Sequence, residues 1–137
     1  MTHDERGTVT VFVTVFMIAL VFVAGLVIDG GNMLAARREA SNGAESAARA
    51  GAQALDESAA RSGDGVHLNP TAARRRAEDY LTSGGFNGTV SVSNDTVVVE
   101  VTITQRLFIL GVGGLADTTV TARGQARSAS GVLKEGD

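Results

Sequence analysis

The sequence predicts an α+β fold: a long N-terminal helix that is apolar in its first half, then a short helix and a small three-stranded antiparallel sheet. Three observations lead there. An uncharged run of 22 residues lies between Arg6 and Asp29, and an alanine-rich, proline-free stretch follows it as far as Ala60. Beyond Asn69-Pro70 the pattern changes to alternating valines around an Asn94-Asp95 pair.

In the first of these runs, 17 of the 22 residues are Ala, Val, Ile, Leu, Met or Phe. A helix rising ~1.5 Å per residue over that run crosses a hydrocarbon core of roughly 30 Å. Thr8 to Val15 alternates as a half-buried strand would, but the near-unbroken apolar run Phe16 to Val23 that continues it does not. A removable secretory signal has a basic start, a shorter apolar region and a small-residue exit; here the start is Asp4-Glu5-Arg6 and the exit Asp29-Gly30-Gly31. The expectation is a retained transmembrane helix over 8–28. Asp29 is then an acid at the membrane edge. Two readings of it stand: a boundary carboxylate in water, or the partner of a basic group or amine on another subunit.

From Asn32 to Ala60, alanine, arginine and glutamate favour continuation of the helix outward from the span, weakened by Gly30, Gly31, Gly43 and Gly51. Met33, Ala40, Ala47 and Ala54 recur every seven residues, with Arg37, Ala44 and Gly51 on the neighbouring row. They form a seam of mostly small side chains that another element can approach closely. The seam serves to cover the chain's own C-terminal part, to pack against other subunits, or to do both on different faces. Glu45 and Arg49 form an i,i+4 pair on the wet face.

Asn69-Pro70 is a helix start, with Asn as N-cap and Pro at the first position, and Gly84-Gly85 is a stop. Ala73, Ala77, Tyr80 and Leu81 share one face of the helix between them. The triple Arg74-Arg75-Arg76 reads as a solvated face or as a site for anionic lipid or an acidic partner. Strands are expected at Thr89–Ser93 and Thr96–Gln105, joined by the two-residue turn Asn94-Asp95. That turn sets Ser93 opposite Thr96, Val92 opposite Val97 and Val90 opposite Val99, which puts the apolar positions of both strands on one face. A third strand, Thr118 to Arg127, turns Val120, Ala122, Gly124 and Ala126 inward. Its connection, Leu107 to Leu115, is nearly all apolar but too short to span a bilayer. It is expected to pack under the long helix, or else to dip into the interface or meet a neighbouring subunit.

Composition narrows the chemistry. With 12 Lys+Arg against 15 Asp+Glu there is no basic excess to neutralise a phosphate backbone, so nucleic acid is not an expected partner. The chain has no cysteine, which removes disulfides, thiolate metal sites and cysteine nucleophiles. Its two histidines, His3 and His67, have no ligand spacing between them. Gly111-x-Gly113-Gly114 lacks the spacing and context of a phosphate loop. No catalytic, cofactor-binding or metal-ligating residue is expected, nor a small-molecule substrate.

The stretch VIDGGNMLAARREASNGAESAARAGAQAL, Val27 to Leu55, resembles the N-terminal region of Tad or Flp pilus-assembly proteins of the TadE/TadG type. In that family an apolar span follows an Arg-Gly, leads into Asp-x-Gly, then an Arg-bearing helix, then an alanine-rich run. The corresponding features here are Arg6-Gly7, Asp29 and Gly31, Arg37 and Arg38, and Ala47 to Ala52. The resemblance covers roughly Arg6 to Leu55. It departs from the pattern at Ala40-Ser41, where the family has Leu-Gln. It also brings in processing by a prepilin peptidase between Gly7 and Thr8, although the fifth position after Gly7 is Phe12 where pseudopilins carry Glu.

The resemblance implies a type IV pilin-like architecture: a short cytoplasmic or leader segment over 1–7, the membrane helix over 8–28, an extracytoplasmic alanine-rich stalk over 29–60, a small α+β cap over 61–128 and a flexible tail over 129–137. It implies a structural or accessory component of a Tad/Flp-type pilus or its assembly machinery, acting by helix packing and not by catalysis. Its partners would be membrane lipid and other pilin or pilus-assembly subunits, and its place the cytoplasmic membrane or the pilus itself, including the tip. The alternative is a single-pass, membrane-anchored extracytoplasmic binding module that joins no filament. Charge bias points the other way on orientation, since Arg37 and Arg38 beyond the span outnumber Arg6 before it.

Overall fold

The computed structural model describes residues 5–55, 67–112, 114 and 117–128. Most of the expected leader, the tail from 129 on, and residues 56–66, where the expected stalk meets the expected cap, lie outside the described residues. The elements, in order, are α1 (Glu5–Ala52), α2 (Pro70–Ser83), β1 (Asn87–Ser93), β2 (Thr96–Gln105), α3 (Ile109–Val112) and β3 (Thr118–Arg127). The α+β expectation holds: a long apolar helix, a short helix and a three-stranded antiparallel sheet of order β1-β2-β3. The chain divides into two compact units. One comprises residues 1–35 and 104–118, the other residues 36–103 and 119–137.

In the second unit, the local signals in the sequence act as written. Asn69 caps α2: its Oδ1 accepts the Ala72 N–H at 3.0 Å, and Pro70 occupies the first turn, where its missing donor costs nothing. At the other end the Phe86 N–H donates to the Leu81 carbonyl at 2.9 Å and the Gly85 N–H to the Thr82 carbonyl at 3.2 Å. That pair of bonds needs a left-handed residue between helix and exit, and Gly85 provides it at φ 69°. The hairpin register is Ser93 to Thr96, Val92 to Val97 and Val90 to Val99, as the turn requires. Asn94 sits in the turn at φ 50°, a conformation that Asn tolerates better than most residues. β1 begins two residues before the expected Thr89, at Asn87.

The core of this unit is built from small side chains. Val97, Val99 and Val101 of β2 are fully buried together with Ala73 and Ala77 of α2 and Ala40, Ala44, Ala47 and Ala48 of α1. Methyl groups on the helix allow close approach of the sheet. A Cβ on Gly124 of β3 would overlap the backbone of Ala44 and Glu45, so β3 crosses the helix in main-chain contact. α1 stops at Ala52, short of the expected Ala60. The reason lies in the pairing of the chain that follows: Leu55 bridges to Leu68, and the Asn69 N–H donates to the Ala54 carbonyl at 2.9 Å.

The first unit holds the apolar part of α1 and the β2–β3 connection. Its large apolar side chains point outward: Val9, Phe12, Phe16, Leu20, Val21, Phe22, Leu26 and Val27 are all at least half exposed. The most apolar 18-residue window has a mean hydropathy of 3.0 and is only 6% buried, the reverse of a soluble protein's core helix. Thr14 does not interrupt this surface, because its hydroxyl donates to the Thr10 carbonyl at 2.8 Å within the helix. Phe12 and Phe16 stack one turn apart, with ring centroids 6.2 Å from each other.

Candidate functional site

Two features of the first unit stand apart from ordinary packing: the uncovered apolar surface of α1, and the attachment of the Leu107–Leu115 connection to it. The attachment is made by Asp29. Its carboxylate is 1% exposed, and each oxygen accepts one backbone donor, Oδ1 from the Phe108 N–H and Oδ2 from the Ile109 N–H, both at 3.1 Å. These amides open the four-residue helix α3, whose first N–H groups have no partner inside the helix. An ionised carboxylate is the strongest acceptor available for them. Asp29 thus does not lie open to water, as a boundary carboxylate would. It is taken up by the chain's own main chain, at the opening of α3.

One turn before Asp29, Gly25 makes room for the loop. A Cβ there would overlap Ile109, so the glycine lets the isoleucine side chain sit directly on the helix backbone. Val21, Phe22, Phe108, Ile109 and Val112 line one apolar groove beside this contact. The connection therefore packs on the long helix, one of the placements open from the sequence. Yet Phe108 is 68% and Val112 90% exposed, so the packing leaves apolar side chains outside it.

The other residues singled out from the sequence fall elsewhere. Ala40, Ala44, Ala47, Gly51 and Ala54 of the small-residue seam are buried, and their cover is the sheet and α2 of the same chain; Met33 is 37% exposed. Gly7 and Thr8 lie within α1 as exposed helical residues, with nothing near the position of a Gly7 Cβ. Arg74, Arg75 and Arg76 are exposed, and Arg76 Nη1 donates to the Gln53 carbonyl at 3.1 Å, closing the exit of α1 against α2. His67 is exposed, and His3 lies outside the described residues. Among the described residues no cluster of three or more His, Asp or Glu side chains could hold a metal ion.

Sequence reading missed α3 and the Asp29 attachment. One signal for the contact existed: an isolated glycine inside a helical pattern marks a close approach, and Gly25 is the one glycine between Thr8 and Asp29.

Residues 7–54 match the family model of the Tad family, described as putative Flp pilus-assembly TadE/G-like. The match spans the apolar half of α1, Asp29 and the alanine-rich half, and it supports involvement in Flp pilus assembly. No curated protein and no solved structure matches the chain.

Proposed function

We propose that this chain is a single-pass membrane subunit of a Tad/Flp-type pilus or of the machinery that assembles it, and that it works by packing and not by catalysis. One observation carries the reading: the stretch that matches the pilus-assembly family contains a membrane-length apolar surface that the chain itself leaves uncovered. Lipid is the medium for that surface before assembly, and the helices of other subunits replace lipid after it.

The surface offered to other subunits is the apolar half of α1, from Val9 to Ile28. The alanine seam beyond it is not part of that surface, because Ala40, Ala44 and Ala47 are fully covered by the chain's own fold. Other subunits would therefore meet larger side chains than the seam offers. The small α+β unit is displayed outside the cytoplasm.

A fixed anchor that never enters a filament is the second reading, and Phe12 favours it. That position, fifth after Gly7, holds no acid for prepilin-type processing and assembly. Cell fractionation with N-terminal sequencing separates the two. A mature chain starting at Thr8 and recovered from sheared fibres supports the filament subunit, while an uncleaved chain confined to membranes supports the anchor. A full-length chain that is monomeric and soluble without detergent would overturn both.

A further inference from the structure

We propose that the α3 connection is a second membrane-embedded element, with Phe108 and Val112 in contact with lipid acyl chains beside the span. The proposal rests on the reading of α1 as a membrane helix.

The first argument is continuity. Val112 and Phe108 line one groove with Val21 and Phe22 of α1, and all four side chains are more than half exposed. Whatever medium surrounds Val21 and Phe22 also surrounds Val112. Phe22 lies seven residues before Asp29, about 10 Å along the helix axis, so the groove is well inside the uncharged run rather than at its rim. Water cannot be the medium for one side of this groove and hydrocarbon for the other.

The second argument is the accounting of polar groups. Non-helical backbone is tolerated at membrane depth only where its N–H and C=O groups find partners in the protein, since each unsatisfied group costs several kcal/mol. In water a four-residue helix needs no such help. Here the Phe108 and Ile109 amides are both met by the Asp29 carboxylate, and the Gly114 amide donates to the Gly111 carbonyl at 3.1 Å. An acid near hydrocarbon is itself costly unless it is paired. The two needs answer each other: the buried carboxylate satisfies both amides, and the amides pair the carboxylate. Gly25 completes the fit by letting Ile109 close against the span, leaving Phe108 and Val112 turned away from the contact.

The chain has no cysteine, so single-cysteine variants of the full-length protein report one place each. Val112→Cys, Phe12→Cys in the span and Ser91→Cys on exposed β1 are labelled with an environment-sensitive fluorophore. Each is reconstituted into phosphatidylcholine–phosphatidylglycerol vesicles with or without brominated acyl chains. The expected result is blue-shifted emission at positions 112 and 12, with most of it lost to brominated chains, and no loss at position 91. Adding Asp29→Ala should restore much of the emission at position 112 and none at position 12. Quenching at 12 with a water-like spectrum at 112 overturns the embedded loop and leaves the span standing. A blue-shifted but unquenched probe at 112 also overturns it, because a second copy or another protein then covers the groove. An unquenched probe at 12 removes the span and this proposal with it.

Discussion

Removing the Asp29 carboxylate should free α3 without unfolding the sheet. In Asp29→Ala, the Phe108 and Ile109 amides each lose an acceptor now 3.1 Å away. A hydrogen bond to a charged group contributes about 1.5 to 3 kcal/mol net, so at the lower end the pair holds the loop by about 3 kcal/mol. Opening of the loop should then become on the order of a hundredfold more frequent. Asp29→Asn keeps one carbonyl oxygen and turns an NH2 group toward the second amide, so it should fall between wild type and alanine. Hydrogen exchange of the full chain in detergent micelles reads this directly. Protection at 108 and 109 should drop in the order wild type, Asn, Ala, while the Val99 amide in β2 keeps its protection in all three. Cleavage by trypsin after exposed Arg106 should rise in the same order. Unchanged exchange at 108 and 109 in Asp29→Ala would refute the assignment of the carboxylate as the loop's fastening.

The remaining predictions concern the small unit. Gly124→Ala should destabilise it by about 3 kcal/mol or more, beyond an ordinary overpacked core, because the new methyl meets main chain that cannot move aside; thermal unfolding of the detergent-solubilised chain measures it. Asn69→Ala should cost about 1 kcal/mol by leaving the Ala72 amide uncapped, with Asn69→Asp and Asn69→Ser close to wild type in the same assay. Asn94→Val should lower stability by about 1 to 2 kcal/mol, since a β-branched residue resists the φ of 50° found there, whereas Asn94→Gly should be nearly neutral.

The parts of the fold that were legible in the sequence are those governed by neighbours along the chain. The register of β1 on β2 follows from one turn and the alternation of valines, and the ends of α2 follow from Asn69, Pro70 and Gly85. The apolar span declares itself by length. The seam on α1 was readable as a surface of small residues, but which surface covers it depends on how the sheet folds back, and periodicity carries no such information. The Asp29 contact was beyond reach for the same reason: its donors lie 79 and 80 residues away, at the start of a helix of four residues that is too short to leave a periodic trace. Placing leucine at Ala44 or Ala47 would consequently damage the chain's own core first and say little about contacts with other subunits.

The buried row of α1 has a further property. Ala36, Ala40, Ala44, Ala48 and Ala52 repeat at every fourth position, so a slip of the sheet by one helical turn would exchange alanine for alanine at all but the end of that line. The adjacent line is not degenerate. It reads Gly43, Ala47, Gly51; the Phe86 ring lies 3.0 Å from the place of a Gly43 Cβ, and the Ala73 carbonyl lies 2.9 Å from that of Gly51. Sliding one turn in either direction would drive the Ala47 methyl into one of those two occupied slots. Two missing methyl groups, flanking one that is present, act as the detents that keep the sheet from ratcheting along an otherwise featureless track.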